Sequence, residues 1–209
     1  MASLFKFGAK EHMEQFLEEG HLYMNTLKWF SEVEDGGVRG DPNEGLVGWW
    51  QGSLVTLHFG DIVIDDALSV RLHSEERQRV NVFCMYRYGL QSAWVDPRNH
   101  RPGDLCAVIH NRAAFMERVD AAFKAQSPFK HLEAGSVRYV DQQIHHGEVS
   151  PFEKTLGYSY QHEFRIALSP GLGDPYSFRV GDLTDIGFLM PAGKVNRIPM
   201  HVNLLPPKR

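Results

Sequence analysis

The stretch Tyr158-Ser-Tyr-Gln-His-Glu-Phe-Arg-Ile-Ala-Leu168 reads as a β-strand that carries its most polar side chains on one face. With a period of two, Tyr160, His162, Phe164 and Ile166 point one way and Gln161, Glu163 and Arg165 the other. Two readings of that polar face are open. In one it is the solvated face of a half-exposed antiparallel strand, with a same-strand Glu163–Arg165 ion pair of little energetic weight. In the other it sets a carboxylate and a carboxamide side by side, as a site must do to stabilise positive charge developing on a sugar ring.

Working outward from this strand, the chain opens on another, Leu4–Phe7, followed by a helix at about Lys10–Glu19. Met13, Phe16 and Leu17 share one face of that helix, and Gly20 is its natural stop. His21–Met24 is extended, and Asn25 or Thr26 caps a short helix through Leu27, Phe30 and Val33. Residues 34–45 (EDGGVRGDPNEG) form a loop of twelve residues, a length more common in functional segments than in simple connectors. Strands follow at Leu54–Phe59, Asp61–Ile64, Leu68–Leu72 and Val80–Tyr86, then a turn over Asp96–Gly103 and a strand at Leu105–His110. Asn111 caps the helix Arg112–Ala125, and further strands are expected at Ser136–Asp141, Tyr176–Val180 and Ile198–Leu204. The pattern predicts one α+β domain over residues 1–209, with two or three packed helices against a largely antiparallel sheet.

Of 209 residues, 43% are hydrophobic and 23% charged, the balance of an ordinary water-exposed domain with a sizeable core. A net charge of -4 supplies no long-range attraction for nucleic acid or anionic membrane. No apolar run approaches the roughly 20 residues that span a bilayer, and the first residues lack a signal-peptide core. The expectation is a cytoplasmic protein with no membrane partner. The only cysteines, Cys84 and Cys106, sit in apolar strand-like runs and read as buried thiols; a zinc site of four thiolates within the chain is excluded.

Several familiar motifs are absent, among them the Gly-x-Gly-x-x-Gly dinucleotide fingerprint, the phosphate loop, the Gly-x-Ser-x-Gly elbow and the His-Glu-x-x-His helix. Three other groupings carry two readings each. His145-His146-Gly-Glu148 offers metal-ligand types, but adjacent histidines diverge on a strand and need a further ligand on a loop; no metal set is assigned. Arg39-Gly-Asp-Pro-Asn-Glu44 is either a pocket rim, with Asp41 and Glu44 on sugar hydroxyls and Arg39 on a phosphate, or a plain Asp-Pro turn. Trp29, Phe30, Trp49 and Trp50 bracket that loop and either stack on a flat ring or belong to the core.

Beyond these readings there is a resemblance. Leu4-Phe-Lys-Phe7, the helix to Gly20 and His21-Leu-Tyr-Met-Asn-Thr26 resemble the start of small mono-ADP-ribosyltransferase-like domains. Tyr160-Gln-His-Glu-Phe-Arg-Ile166 resembles their late strand, where Gln-x-Glu or Glu-x-Glu carries the catalytic glutamate. Asp41-Pro-Asn-Glu44 and Glu163-Phe-Arg165 are also similar to a loop and a late strand in uncharacterised bacterial and prophage proteins. The resemblance implies a split antiparallel sheet, NAD as co-substrate, and transfer of ADP-ribose to a macromolecular acceptor, protein or nucleic acid. A toxin or anti-phage effector of this kind implies an antitoxin or inhibitor protein as partner. Glu163 is then the catalytic glutamate and Gln161 the acceptor-positioning residue. Lys6 falls at the first-strand NAD position, where the family has Arg or His; Phe5 or Phe7 is the alternative lining residue. Tyr23 and Tyr86 are candidates for the middle motif, and Asn25, Arg39 and Arg165 complete the cofactor-binding set. The alternative is a non-catalytic binding module or inhibitor on the same fold, with Trp49 and Trp50 at its interface; a metal-dependent nuclease comes third.

Overall fold

The computed structural model describes residues 3–33, 40–65, 68–89, 94–126 and 128–197. The opening alternation forms β1 (Ser3–Gly8), and helix α1 (Lys10–Glu19) turns Met13, Phe16 and Leu17 inward. Gly20 ends α1 with φ 62°, a left-handed conformation that lets its N–H cap the carbonyl of Gln15. Strand β2 (His21–Thr26) follows, and Thr26, rather than Asn25, caps α2 (Leu27–Glu32) by accepting the N–H of Trp29 at 3.1 Å. Next come β3 (Leu46–Gln51), β4 (Leu57–Phe59), β5 (Ile62–Ile64), β6 (Ser69–His73), the single turn α3 (Glu75–Gln78) and β7 (Asn81–Tyr88). After β8 (Leu105–Ile109), Asn111 caps α4 (Arg112–Gln126) through the N–H of Ala114. The rest is β9 (His131–Ser136), β10 (Arg138–Val140), β11 (Gly147–Glu148), β12 (Glu153–Thr155), β13 (Glu163–Ser169), β14 (Tyr176–Arg179) and β15 (Gly187–Pro191).

The architecture is α+β with mostly antiparallel pairing, and β7 is its spine. Along one edge β7 pairs with β13 from Asn81 to Tyr86, and β13 pairs in turn with β9. Along the other edge β2 takes Asn81–Val82 and β1 takes Tyr86–Tyr88. The sheet therefore parts between them: β1 continues to β8 and β15, while β2 continues to β14. Lys6 bridges the parting by donating from Nζ to the Cys84 carbonyl at 2.8 Å, with its ammonium 4.4 Å from the Phe83 ring centre.

One face of the sheet carries Leu4, Phe83, Met85, Phe164, Ile166 and Leu168 and packs on α1 and α4 through Phe16, Phe115 and Val119. The other face carries Val82, Cys84 and Ala167, overlaid by Leu27 and Phe30 of α2 and by Phe152. Small sheets add to this second layer: β11–β3–β6, and β10 paired in parallel with β12. Among the described residues no helix is long and apolar enough to cross a membrane.

Several sequence expectations change in detail. The strand expected over Leu54–Phe59 is confined to Leu57–Phe59, with Leu54 ending a 3-10 turn that begins at Gly52, and Ser136–Asp141 breaks at Val137, whose N–H bonds the Glu163 carbonyl instead of continuing a ladder. Leu46–Gln51, which holds the aromatic residues after the loop expected over residues 34–45, is a strand. The expected strand at 198–204 lies outside the described residues.

Gly20 couples the first helix to the β14 end. Its carbonyl accepts the N–H of Val180, and a Cβ at this position would lie 2.2 Å from the Gly181 carbonyl oxygen. Gly20→Ala therefore combines left-handed strain with a backbone collision. We expect it to cost about 2–4 kcal/mol of unfolding free energy in a denaturant titration; a loss under about 0.5 kcal/mol contradicts the packing described.

A buried charge cluster as the candidate functional site

The continuous strand expected over Tyr158–Leu168 is broken. Leu156–Gln161 is a 3-10 helix, and His162, at φ 40°, turns the chain before β13 begins at Glu163. A left-handed β-carbon residue is unfavourable on its own, by about 1–2 kcal/mol, so the surroundings must hold it. The result is that Gln161 does not share a strand face with Glu163, yet both reach the same cation. Lys154 Nζ lies 2.8 Å from Gln161 Oε1, 3.0 Å from Glu163 Oε2 and 3.2 Å from Glu44 Oε1.

Arg165 completes the cluster. Its Nε donates to Glu163 Oε1 at 2.6 Å, while Nη2 and Nη1 grip the two oxygens of Glu44 at 2.7 and 3.1 Å. Nη1 also donates to the Pro151 carbonyl. Two carboxylates and two cations thus interlock, every one of them at most 6% exposed. The guanidinium fork suits this bidentate geometry, and an ammonium could not replace it.

Each side chain is placed by its own element. Arg165 and Glu163 project from β13 toward the second layer, and Lys154 comes from β12, which is paired with β10. The Glu163 N–H donates to Tyr139 Oη at 2.9 Å. Glu44 is delivered by the Asp41–Gly45 turn, where Asp41 Oδ1 accepts the Asn43 N–H and the Asp41 carbonyl accepts the Glu44 N–H. Tyr158 Oη donates to the Gly40 carbonyl at 3.0 Å, and the Tyr158 ring stands 5.3 Å from Lys154 Nζ. The turn and the 3-10 helix are thereby latched over the ion pairs.

Electrostatics separate the acids. Burial alone would raise the pKa of Glu163, but Arg165 and Lys154 outweigh it and hold the carboxyl well below the usual range. Burial works against the Lys154 ammonium too, and Glu163 and Glu44 overcome it, so Lys154 stays charged. Asp41, 1% exposed, goes the other way: burial first, and then Glu44, push its pKa up. The Cys84 thiol is pushed up to about 12, chiefly by burial and then by Glu163, which removes it as a nucleophile at neutral pH.

Of the residues singled out in the sequence, the fold brings together Gln161, Glu163, Arg165, Asp41 and Glu44. Arg165, named above both as an ion-pair partner of Glu163 and in the cofactor-binding set, pairs with Glu163 and Glu44; both edges of its guanidinium are engaged and buried. Tyr86 pairs in register with Glu163 across β7 and β13, but its ring points to Phe5, Phe7 and His162 and its hydroxyl donates to the Trp94 carbonyl. Phe7 belongs to this neighbouring apolar cluster. Lys6 shares the face of Leu4, opposite Glu163, because alternation along β1 sends it there. Tyr23 is 54% exposed on β2 opposite Ser177, and Asn25 lies opposite Val82. Arg39 lies outside the described residues.

Trp49 is a core residue, packed with Leu46 and Val149 under the Arg71 guanidinium, so it does not head an exposed interface. His145 and His146 turn to different partners: the Glu148 carbonyl and the Gln51 N–H. Among the described residues no group of three or more His, Cys, Asp or Glu side chains is arranged to hold a metal ion. Lys154 belongs to none of the sequence motifs; the one local signal for it is its place just before the polar Tyr158–Arg165 segment. No family model matches this chain, and neither a curated protein nor a solved structure matches it.

Two outcomes follow from the cluster. Lys154→Met leaves two buried carboxylates facing one cation and should cost about 3–5 kcal/mol. Adding Glu44→Gln restores the balance, so the double variant should be more stable than the two single losses summed, by at least about 1 kcal/mol in a denaturant cycle; strict additivity contradicts the linkage. The pH profile has opposite signs for the two kinds of acid. Glu163, held low, contributes stability above its unfolded pKa of about 4.3 that disappears as pH falls. Asp41, held high, contributes stability below about 3.9 that is lost as pH rises through its folded value. Asp41→Asn should therefore gain melting temperature relative to the parent between about pH 4 and pH 7, and a difference that stays flat over that window rules out the buried-acid account.

Proposed function

We propose that this cluster is the reaction centre of an NAD-dependent mono-ADP-ribosyltransferase-like enzyme acting on a macromolecular acceptor, as a toxin or anti-phage effector would. The observation that supports this reading is the convergence of Gln161 and Glu163 with Glu44 on one ammonium, where the sheet parts between β1 and β2. Maintaining four buried charges in one cluster is costly, and a hydrophobic set of equal volume would often be at least as stable, which favours a functional reason for the residues.

In such a reaction the bond between ribose C1′ and the nicotinamide nitrogen breaks, and its electron pair leaves with nicotinamide. The ribosyl cation is stabilised by a carboxylate that is ionised at working pH, the condition Arg165 and Lys154 impose on Glu163. Gln161, half-buried at the edge of the cluster, orients the acceptor, whose attacking atom bonds to C1′ and gives up its proton. Asp41, with its raised pKa, is the acid–base group nearest in character to that proton transfer. Because Glu163 is only 5% exposed, the Asp41–Gly45 turn and Tyr158 must open for substrate to reach it.

One observation favours a second reading. The charges are already matched and covered, which also suits a non-catalytic module whose ion pairs only latch the two layers. Exposed Leu54, Phe59, Ile62 and Val63, rather than Trp49, would then contact a partner protein. Nicotinamide release and label transfer from NAD decide between the two. We expect wild-type turnover and a loss of about a hundredfold or more in Glu163→Gln, with folding checked by melting temperature. Unchanged turnover in that variant removes Glu163 from catalysis. A wild-type chain that neither consumes NAD nor is stabilised by it leaves the latch reading standing.

A further inference from the structure

A cleft of about 400 Å³ opens at the far end of β13, beyond Arg165, in the volume range of small-ligand sites. Its apolar floor includes Val47, Val80 and Ala167, and its walls carry Arg77, Glu76 and Glu133. Arg77 is half-buried. Its Nη1 donates to the Val149 carbonyl at 2.9 Å, and among the described residues it makes no ion pair. Burial pulls the guanidinium pKa down, and Glu133, ahead of Glu76, Glu148 and Glu153, pulls it back up. Arg77 and the carboxylates of Glu133 and Glu76 thus line one cleft without an ion pair at Arg77 among the described residues, although a guanidinium and a carboxylate in contact would be the ordinary way to compensate burial.

We infer that this cleft binds a small zwitterion with an apolar body, a free aliphatic α-amino acid, whose carboxylate meets Arg77 and whose ammonium meets Glu133. A simple anion would lie against Glu76 and Glu133, and a simple cation against Arg77; only a ligand with both charges satisfies both walls. The aliphatic side chain lies on Val47, Val80 and Ala167, where its burial contributes roughly 0.8 kcal/mol per methylene. Pro151 also lines the cleft, and its carbonyl is the one that accepts Arg165 Nη1, so the ligand sits directly behind the charge cluster. The assignment rests on the cleft alone and stands whether or not the cluster is catalytic.

The test is calorimetric titration of the full chain with three probes: L-leucine, L-leucinamide, which lacks the carboxylate, and N-acetyl-L-leucine, which lacks the ammonium. Saturable binding of L-leucine is expected, with each analogue weaker by about tenfold to a hundredfold, the value of one charge-assisted hydrogen bond. Arg77→Gln and Glu133→Gln should each weaken L-leucine binding by a similar factor while their melting temperatures without ligand stay close to the parent's. Glu133 is an exposed residue of β9, so its variant keeps the test open even where Arg77→Gln disturbs the fold. No saturable binding of L-leucine, equal binding of all three probes, or binding unchanged in Glu133→Gln overturns the inference.

Discussion

The bidentate grip of Arg165 on Glu44, with its third donor on Glu163, is the contact around which the second layer of this protein is organised. It ties the strand next to the spine to a turn more than a hundred residues earlier in the chain, and Lys154 repeats the connection from β12. Neither cation would be tolerable at this depth without both carboxylates, because removing a charge from water costs several kcal/mol even after relaxation. The cluster therefore acts as a unit. Its partners set the position of the Asp41–Gly45 turn, the 3-10 helix before β13 and the small parallel pair β10–β12.

The parting of the sheet imposes a second constraint. Where β1 and β2 diverge from β7, the Cys84 carbonyl meets the Lys6 ammonium instead of a strand N–H, and Phe83 shelters that ammonium. On the opposite face of the same strand position, the Cys84 side chain lies beside Glu163. The charged cluster and the sheet's discontinuity thus stand back to back across β7. A backbone gap there costs little only because Lys6 fills it, which explains how a lysine comes to sit between two core phenylalanines in the opening strand.

Much of the scaffold was legible in the residues. Met13, Phe16 and Leu17 at helical spacing, Gly20 after them, Asn111 before Arg112, and the apolar alternation of β7 and β8 are local signals, decided by φ/ψ preference, capping and period. The polar face of the late strand was legible in composition but not in geometry. Its alternation broke at His162, whose left-handed turn is held by surroundings outside the segment. Leu46–Gln51 read as a flank of a loop because a Gly and two Trp residues give no clean period; its strand state comes from pairing with β6 and β11.

By itself the sequence determined the α+β class, the main helices and the residue types available for chemistry, since these follow from local propensity and hydrophobic period. The tertiary structure alone decided that Gln161 and Glu163 meet on Lys154, that Arg165 is a buried clamp and not a surface charge, and that Lys6 faces away from them. It also brought Arg77 and Glu133 to the lining of one cleft. These are outcomes of long-range contact. Which face of a strand is covered, and by which distant turn, depends on burial energies shared among Glu44, Lys154, Glu163 and Arg165 together, and no window of neighbouring residues contains all four.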